Sequence, residues 1–368
     1  IDKGIDWRGP VADRLYCPTS DGDRCISDCV REATQIINMG HTLGGAPRFA
    51  PKQGAQFHFS FKGSVQGFQV QSGTAQLSNP DGDALHISGK AGARIGTPVF
   101  APSLEVADYF EKAHYKLMAS PRIFPGQHVS AGVSSPDANL YIAYYGEGDE
   151  TCYVDVGNPD DPLNPSINVP KVPGPIFEVG LRLNKDVSLK LSHVGWQGNP
   201  EVTFERPQHK GLMWKRAWVD AVDQLVGWSE MFRLVQNEGL GMISQGTREW
   251  TNYVVSADVT PHLVSRAGIA ARVQGLTRFY ALMVTVDQKV QLVKSVHEES
   301  VLAEADFNWT LGDTLNMSLR VNGDELVGEI DGTVVLTAKD TSLDSGAIGL
   351  VVADGRTATH KVAVAPLS

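Results

Sequence analysis

From about residue 55 onward, apolar and polar positions alternate along the chain. FHFSFKGSVQGFQVQSGTAQL, ALHISG, HYKLMAS, HVSAGVS, NLYIAYYGEG, TCYVDVG, IFEVGLRLN and SLKLSHVGWQG repeat with a period of two and are parted by Gly, Asn, Asp and Pro. That period sends successive side chains to opposite faces of a sheet, so the segments predict short antiparallel strands with one buried face. GNPDDPLNPSINVPKVPGP interrupts the series and reads as a long surface loop. A second series starts near residue 229, with WTNYVVSADVTP, RAGIAARVQG, FYALMVTVD, KVQLVKSV, TLNMSLRVNGDELVGEIDGTVVLTAKD and AIGLVVADG. Its NGDE and DGT tetrads and triads are hairpin turns. The expected class is mainly β: a jelly-roll-like sandwich over residues 49–206 and a second sandwich of two curved antiparallel sheets over 229–368.

Two segments carry a helical period instead. In SDGDRCISDCVREATQIINMG the apolar stripe is Ile26, Cys29, Val30, Ala33, Ile36 and Ile37, with Ser20 and Asp21 to cap its start and Gly40 to end it. One amphipathic helix cannot bury its own apolar face, so residues 1–48 predict a helical segment that continues a domain missing from this chain. GLMWKRAWVDAVDQLVGW, within 207–228, reads as a linker helix or irregular joint, with Trp214, Trp218 and Val222 on one face. Those tryptophans are expected to staple the two β-domains together.

Charge removes several function classes. The 368 residues carry a formal net charge of -10, and no basic tract or stripe marks a nucleic-acid footprint. No run approaches the roughly 20 apolar residues that span a bilayer, and no membrane partner is expected. Three of the four cysteines, Cys17, Cys25 and Cys29, crowd into the N-terminal segment, and Cys152 stands alone. Their spacing lacks the short knuckles of structural zinc, so free thiols in a reducing compartment and a cytoplasmic location are the expectation.

No nucleophile elbow, zinc-protease helix, Walker loop or dinucleotide fingerprint occurs. Asp21-Gly22-Asp23 and Asp81-Gly82-Asp83 resemble metal loops but lack a closing Glu and read as turns, with a structural calcium as the alternative. His58, His86, His114 and His128 fall in or beside strands and read as ordinary strand residues. Glu178 and Asp258 are the candidate carboxylates should the chain cleave a glycoside. Aromatics beside polar turns suit sugar rings, which makes Trp196, Trp250, Arg278 and Tyr280 the candidate carbohydrate-binding residues. The competing reading of Trp196 and Trp250 is strand-end tryptophan in a core.

The opening stretch GIDWRGPVADRL, with Trp7, Arg8, Pro10, Val11, Asp13 and Arg14, resembles the segment after the catalytic core of long bacterial ADP-ribosylglycohydrolase-family proteins. GSVQGFQV, SPRIFPGQHV, PIFEVGLRL, GLMWKRAWVDAVDQ and QGTREWTNYVVSADVTP resemble the β-rich extension of the same proteins. The resemblance implies an accessory half of a glycoside-cleaving hydrolase, packed on or covering an N-terminal α-helical catalytic domain or chain. The family's Thr/Ser-Asp-Asp and G-G-D-T-D-T metal motifs are missing from this sequence. It therefore implies no catalytic residue and no metal site here, and magnesium only in the missing part. The second sandwich also resembles laminin-G and concanavalin-like domains, whose concave sheets often take glycans. A free-standing pair of carbohydrate-binding modules with a glycan or ribosyl ligand is thus the alternative, and a β-sandwich glycoside hydrolase the next.

Overall fold

A computed structural model describes residues 54–59, 62–100, 120–157, 160–208, 211–226 and 230–367. The expected N-terminal helix, Asp21-Gly22-Asp23, three of the cysteines and all but the last residue of HYKLMAS lie outside them.

The first sandwich contains β1 (Gly54–His58), β2 (Gln69–Ser72), β3 (Ala75–Ser78), β4 (Leu85–Gly89), β5 (Arg94–Pro98), β6 (His128–Val133), β7 (Ala138–Tyr145), β8 (Thr151–Val156), β9 (Ser166–Asn168), β10 (Ile176–Leu183) and β11 (Val187–Gln197). One sheet runs β3-β4-β11-β6-β9, with β1 also on β11; the other runs β2-β5-β10-β7-β8. The sets β4-β11-β6-β9 and β5-β10-β7-β8 interleave as the two sheets of a jelly roll, which is the expected architecture. Alternate residues of each strand, among them Leu85, Ile87, Ile95, Val129, Leu140, Ile142, Leu181 and Leu191, meet in one core. The Pro- and Asp-rich loop differs from expectation in one respect. Its Ile167 reaches the core, so Ser166–Asn168 forms β9 on the edge of β6.

The second sandwich contains β12 (Val202–Glu205), α1 (Met213–Arg216), β13 (Val219–Ala221), β14 (Gln224–Val226), β15 (Phe232–Gln245), β16 (Tyr253–Leu263), β17 (Arg266–Gly275), β18 (Arg278–Thr285), β19 (Lys289–Val296), β20 (Glu298–Asp306), β21 (Leu315–Asn322), β22 (Glu325–Ile330), β23 (Thr333–Lys339), β24 (Ala347–Thr359) and β25 (Lys361–Pro366). These fourteen strands form one continuous ladder that bends where the end of β16 joins β24. The ladder folds over so that β12-β25-β16-β21-β22-β23 face β20-β19-β18-β17-β24-β15. Val255, Leu319 and Val364 of one layer pack with Ile269, Leu282 and Leu350 of the other. The DGT turn is as the sequence predicts: Asp331 and Gly332 both take positive φ, which suits a tight hairpin.

The stretch between the sandwiches departs from the helical expectation. Its helix is four residues long, and Val219–Ala221 and Gln224–Val226 add instead to β15. Burial of Trp218 overrides the helical spacing. Its ring sits 5.2 Å from Phe204 and 5.1 Å from Phe232, and Trp214 lies 5.5 Å from Phe232. The changeover between sandwiches precedes Val202, because β12 pairs with the last strand, β25. Polar contacts lock the joint. Asn199 donates to the Asn252 carbonyl and accepts from the Thr251 amide, Ser120 Oγ accepts from the Gly246 amide, and the Asp149 carboxylate accepts the Leu212 and Met213 amides at the start of α1.

Candidate functional site

The sequence-named aromatics are not a surface platform. Trp250 is fully buried, 4.8 Å edge-on from Phe124 and 6.1 Å from Tyr253. Tyr280 is fully buried between the layers; its hydroxyl donates to Asp340 at 2.6 Å and accepts from the Leu343 amide. Trp196 is 5% exposed and packs on Phe57 in the jelly-roll core. Arg278 is half-buried and bonds Gln274. In each aromatic case the apolar ring won burial over exposure, the outcome expected for a large side chain at a strand end. Asp258 serves a turn, accepting the His360 and Lys361 amides.

Glu178 is placed differently. A bulge in β10 between Ile176 and Glu178 shifts the pairing with β7. Ile176 and Val179 both belong to the core, so the two residues between them are turned toward the outer face of β2-β5-β10-β7-β8. There the sheet brings together residues from four strands: Arg94 of β5, Glu178 and Arg182 of β10, Tyr141 of β7, and Tyr153 and Asp155 of β8. Tyr141 Oη donates to Glu178 Oε1 at 2.5 Å. Arg94 donates to both oxygens of Asp155, at 2.7 and 2.9 Å, a bidentate pair. Its guanidinium stacks between two rings, 5.0 Å from Tyr141 and 4.1 Å from Tyr153. Arg182 Nε is 3.7 Å from Asp155 and has no hydrogen-bond partner. Gly96 makes room beneath: a Cβ there would sit 2.4 Å from Tyr141 Oη and 2.7 Å from the Glu178 carboxyl.

The environment grades these groups from dry to wet. Tyr141 is fully buried and Glu178 nearly so, whereas Tyr153 keeps 44% of its surface exposed. Burial pushes the Glu178 carboxyl above its usual range, against the opposing hydrogen bond from Tyr141 and the Arg94 charge. Burial, reinforced by the bond to Glu178, drives the Tyr141 phenol far up, so it stays a neutral donor. The hydrogen bond to Asp155 raises Arg94, which remains a cation. The face thus offers a carboxyl, a carboxylate, two guanidinium groups and an accessible aromatic ring. Sequence reading found Glu178 and missed its neighbours. A signal was present in β8: Tyr153 and Asp155 sit two apart and share a face of the strand.

Asp81, Asp83 and His86 also converge, with potential ligand atoms within 4.8 Å of one another. Asn79 Oδ1 accepts the Gly82 amide and fixes the turn, and Lys190 lies 3.6 Å from Asp83.

No family model matches the chain. No curated protein matches it either. Among solved structures, the chain is similar to the carbohydrate-binding module CBM66 from Bacillus subtilis, at 18% identity and a TM-score of 0.37 over 40% of this chain and 94% of that one. A Bacillus subtilis protein of unknown function with a galectin-like fold is 15% identical, with a TM-score of 0.33 over 40% of this chain and 89% of that one. The alginate lyase AlgAT5 of polysaccharide lyase family 7 is 10% identical, with a TM-score of 0.33 over 41% of this chain and 94% of that one. None of them links the chain to ADP-ribosylglycohydrolases, and with TM-scores of this size the candidate face stands on its own residues.

Proposed function

We propose that the chain is a carbohydrate-binding β-sandwich protein whose jelly roll takes a glycan on the outer face of β2-β5-β10-β7-β8. The observation that carries it is the juxtaposition of the exposed Tyr153 ring, backed by Arg94, with the carboxyl groups of Asp155 and Glu178 and the Arg182 guanidinium that pairs with Asp155. A sugar presents apolar C–H faces and edges of neighbouring hydroxyls. An aromatic ring suits the first, and planar carboxylate and guanidinium groups suit the second by paired hydrogen bonds. Mutual pairing of Arg94 with Asp155 holds both planar groups in place before a ligand arrives, which lowers the ordering cost of binding.

The test is affinity electrophoresis of the whole chain in gels loaded with neutral and acidic polysaccharides, followed by calorimetry on any hit. Retardation by at least one polysaccharide is expected, and Tyr153→Ala should weaken it about tenfold, the loss of roughly 1.4 kcal/mol. Circular dichroism of the variant should be unchanged. Absence of retardation across the panel, or binding that Tyr153→Ala leaves intact, overturns the assignment of this face.

A further inference from the structure

Between the two sandwiches lies a cleft that the glycan face does not use. Pro125 and Pro175 of the jelly roll wall one side, and Phe204, Trp214 and Met231 wall the other. The cleft encloses a cavity of about 60 Å³ that opens into a wider mouth. One water needs about 10–15 Å³, so the cavity has room for several waters, or for the edge of a ring whose remainder lies in the mouth. Gln245, the last residue of β15, also lines it. Gln245 is 3% exposed, and its Oε1 has no hydrogen-bond partner. A buried amide oxygen left unpaired costs free energy, and nearly all such atoms in folded proteins find a donor. The rings and prolines of the walls and the orphan amide oxygen together suit a ligand with a flat apolar face and a polar edge.

We infer that this inter-domain cleft is a binding site for a small neutral hydroxylated ring of phenol size, with the hydroxyl bonded to the Gln245 amide. Proline and aromatic side chains pack on the ring faces, and such walls with a few placed polar groups are the usual make-up of small-ligand pockets at domain boundaries. A neutral head group suits the cleft, because among the described lining residues the buried polar side chain is the Gln245 amide, while Glu205 stands exposed and paired with Lys361. A hydroxyl suits the amide whichever of its two ends faces the cleft, since it both donates and accepts.

The test uses the whole chain with phenol and toluene as probes, followed by saturation-transfer NMR and titration. The two have the same shape and differ in the hydroxyl. Phenol should bind saturably in the roughly millimolar range and about fivefold more tightly than toluene, the factor one neutral hydrogen bond commands. Gln245→Leu should abolish that preference while toluene still binds. Thr203→Trp, at the exposed rim, should exclude both probes without disturbing the core. Tyr153→Ala should leave phenol binding unchanged, which separates this cleft from the glycan face. No saturable phenol signal, or a phenol preference that survives Gln245→Leu, overturns the inference and leaves ordered water as the occupant.

Discussion

Glu178 shows how one residue can be held against its own chemistry. Its carboxyl is buried on the sheet face and raised by that burial, so the folded protein prefers it protonated. A group whose folded pKa lies above its unfolded one lends stability that is complete below the unfolded pKa. That stability is lost as pH rises through the folded value. Urea titrations of the wild type should therefore lose stability relative to Glu178→Gln as pH climbs from about 4, then run parallel to it. Curves parallel throughout would mean the carboxyl is not desolvated. Tyr141→Phe removes the donor that makes the ionised form tolerable. It should cost about 1–3 kcal/mol and move the inflection of the pH curve upward, because the opposing pull on the carboxyl is gone.

At the scale of the element, two bulges do what plain strands cannot. The one in β10 aims Glu178 at the outer face. The other, in β17, breaks register with both neighbours and puts Arg272 at φ 49. Arg272 is 1% exposed and reaches three separate loops, donating to the carbonyls of Thr251, Gly323 and Leu343. Its own amide donates to the buried Tyr253 hydroxyl at 2.6 Å. The guanidinium thus ties one end of the second sandwich together without a carboxylate, and burial lowers its pKa. Arg272→Met should cost about 3–5 kcal/mol, and Arg272→Lys should recover little of it because an ammonium cannot span the three carbonyls. Chemical denaturation of both variants measures this; a lysine variant as stable as wild type would reduce the clamp to a charge. Alternation in the sequence foretold β7 and β10 at the first bulge and β17, β18 and β24 at the second, but not the RIGTP of β5. It did not foretell the bulges, because an inserted residue breaks the very period that is being read. Nor did it foretell the candidate face. Tyr141 and Glu178 are 37 residues apart, and Arg94 and Asp155 are 61 apart, so strand order and not local pattern makes them neighbours. The strands β13 and β14 were hidden for a related reason, as the aromatic stripe that reads as a longer helix is satisfied by core contacts of Trp218 on the turn that closes α1.

For the whole molecule the question is whether two sandwiches behave as one body. The pattern of the sequence separated them near Arg206, and each does have its own core. Yet Phe124, from the jelly-roll segment, is counted within the core of the second sandwich, edge-on to Trp250. Asn199 clasps the Thr251–Asn252 backbone in both directions, and Ser120 satisfies the Gly246 amide. The strand that leaves the jelly roll, β12, is itself paired to the chain's last strand. Separating the sandwiches therefore exposes an aromatic pair and leaves several buried backbone groups without partners. A joint that costly couples the two unfolding equilibria, so calorimetry of the wild type should show one transition with matching calorimetric and van't Hoff enthalpies. Phe124→Ala removes about 3–5 kcal/mol of packing at the joint itself. If the joint is what couples the cores, this variant should split the endotherm in two, with the jelly roll and the second sandwich melting apart. Asn199→Ala, which removes hydrogen bonds and no ring, should move the same way by a smaller amount. A single transition that merely shifts downward in Phe124→Ala would show that cooperativity resides in the polar contacts of the joint, Asn199 with Thr251–Asn252 and Ser120 with Gly246. The proposed glycan face and the cleft would then sit on one rigid frame whatever happens at the aromatic joint.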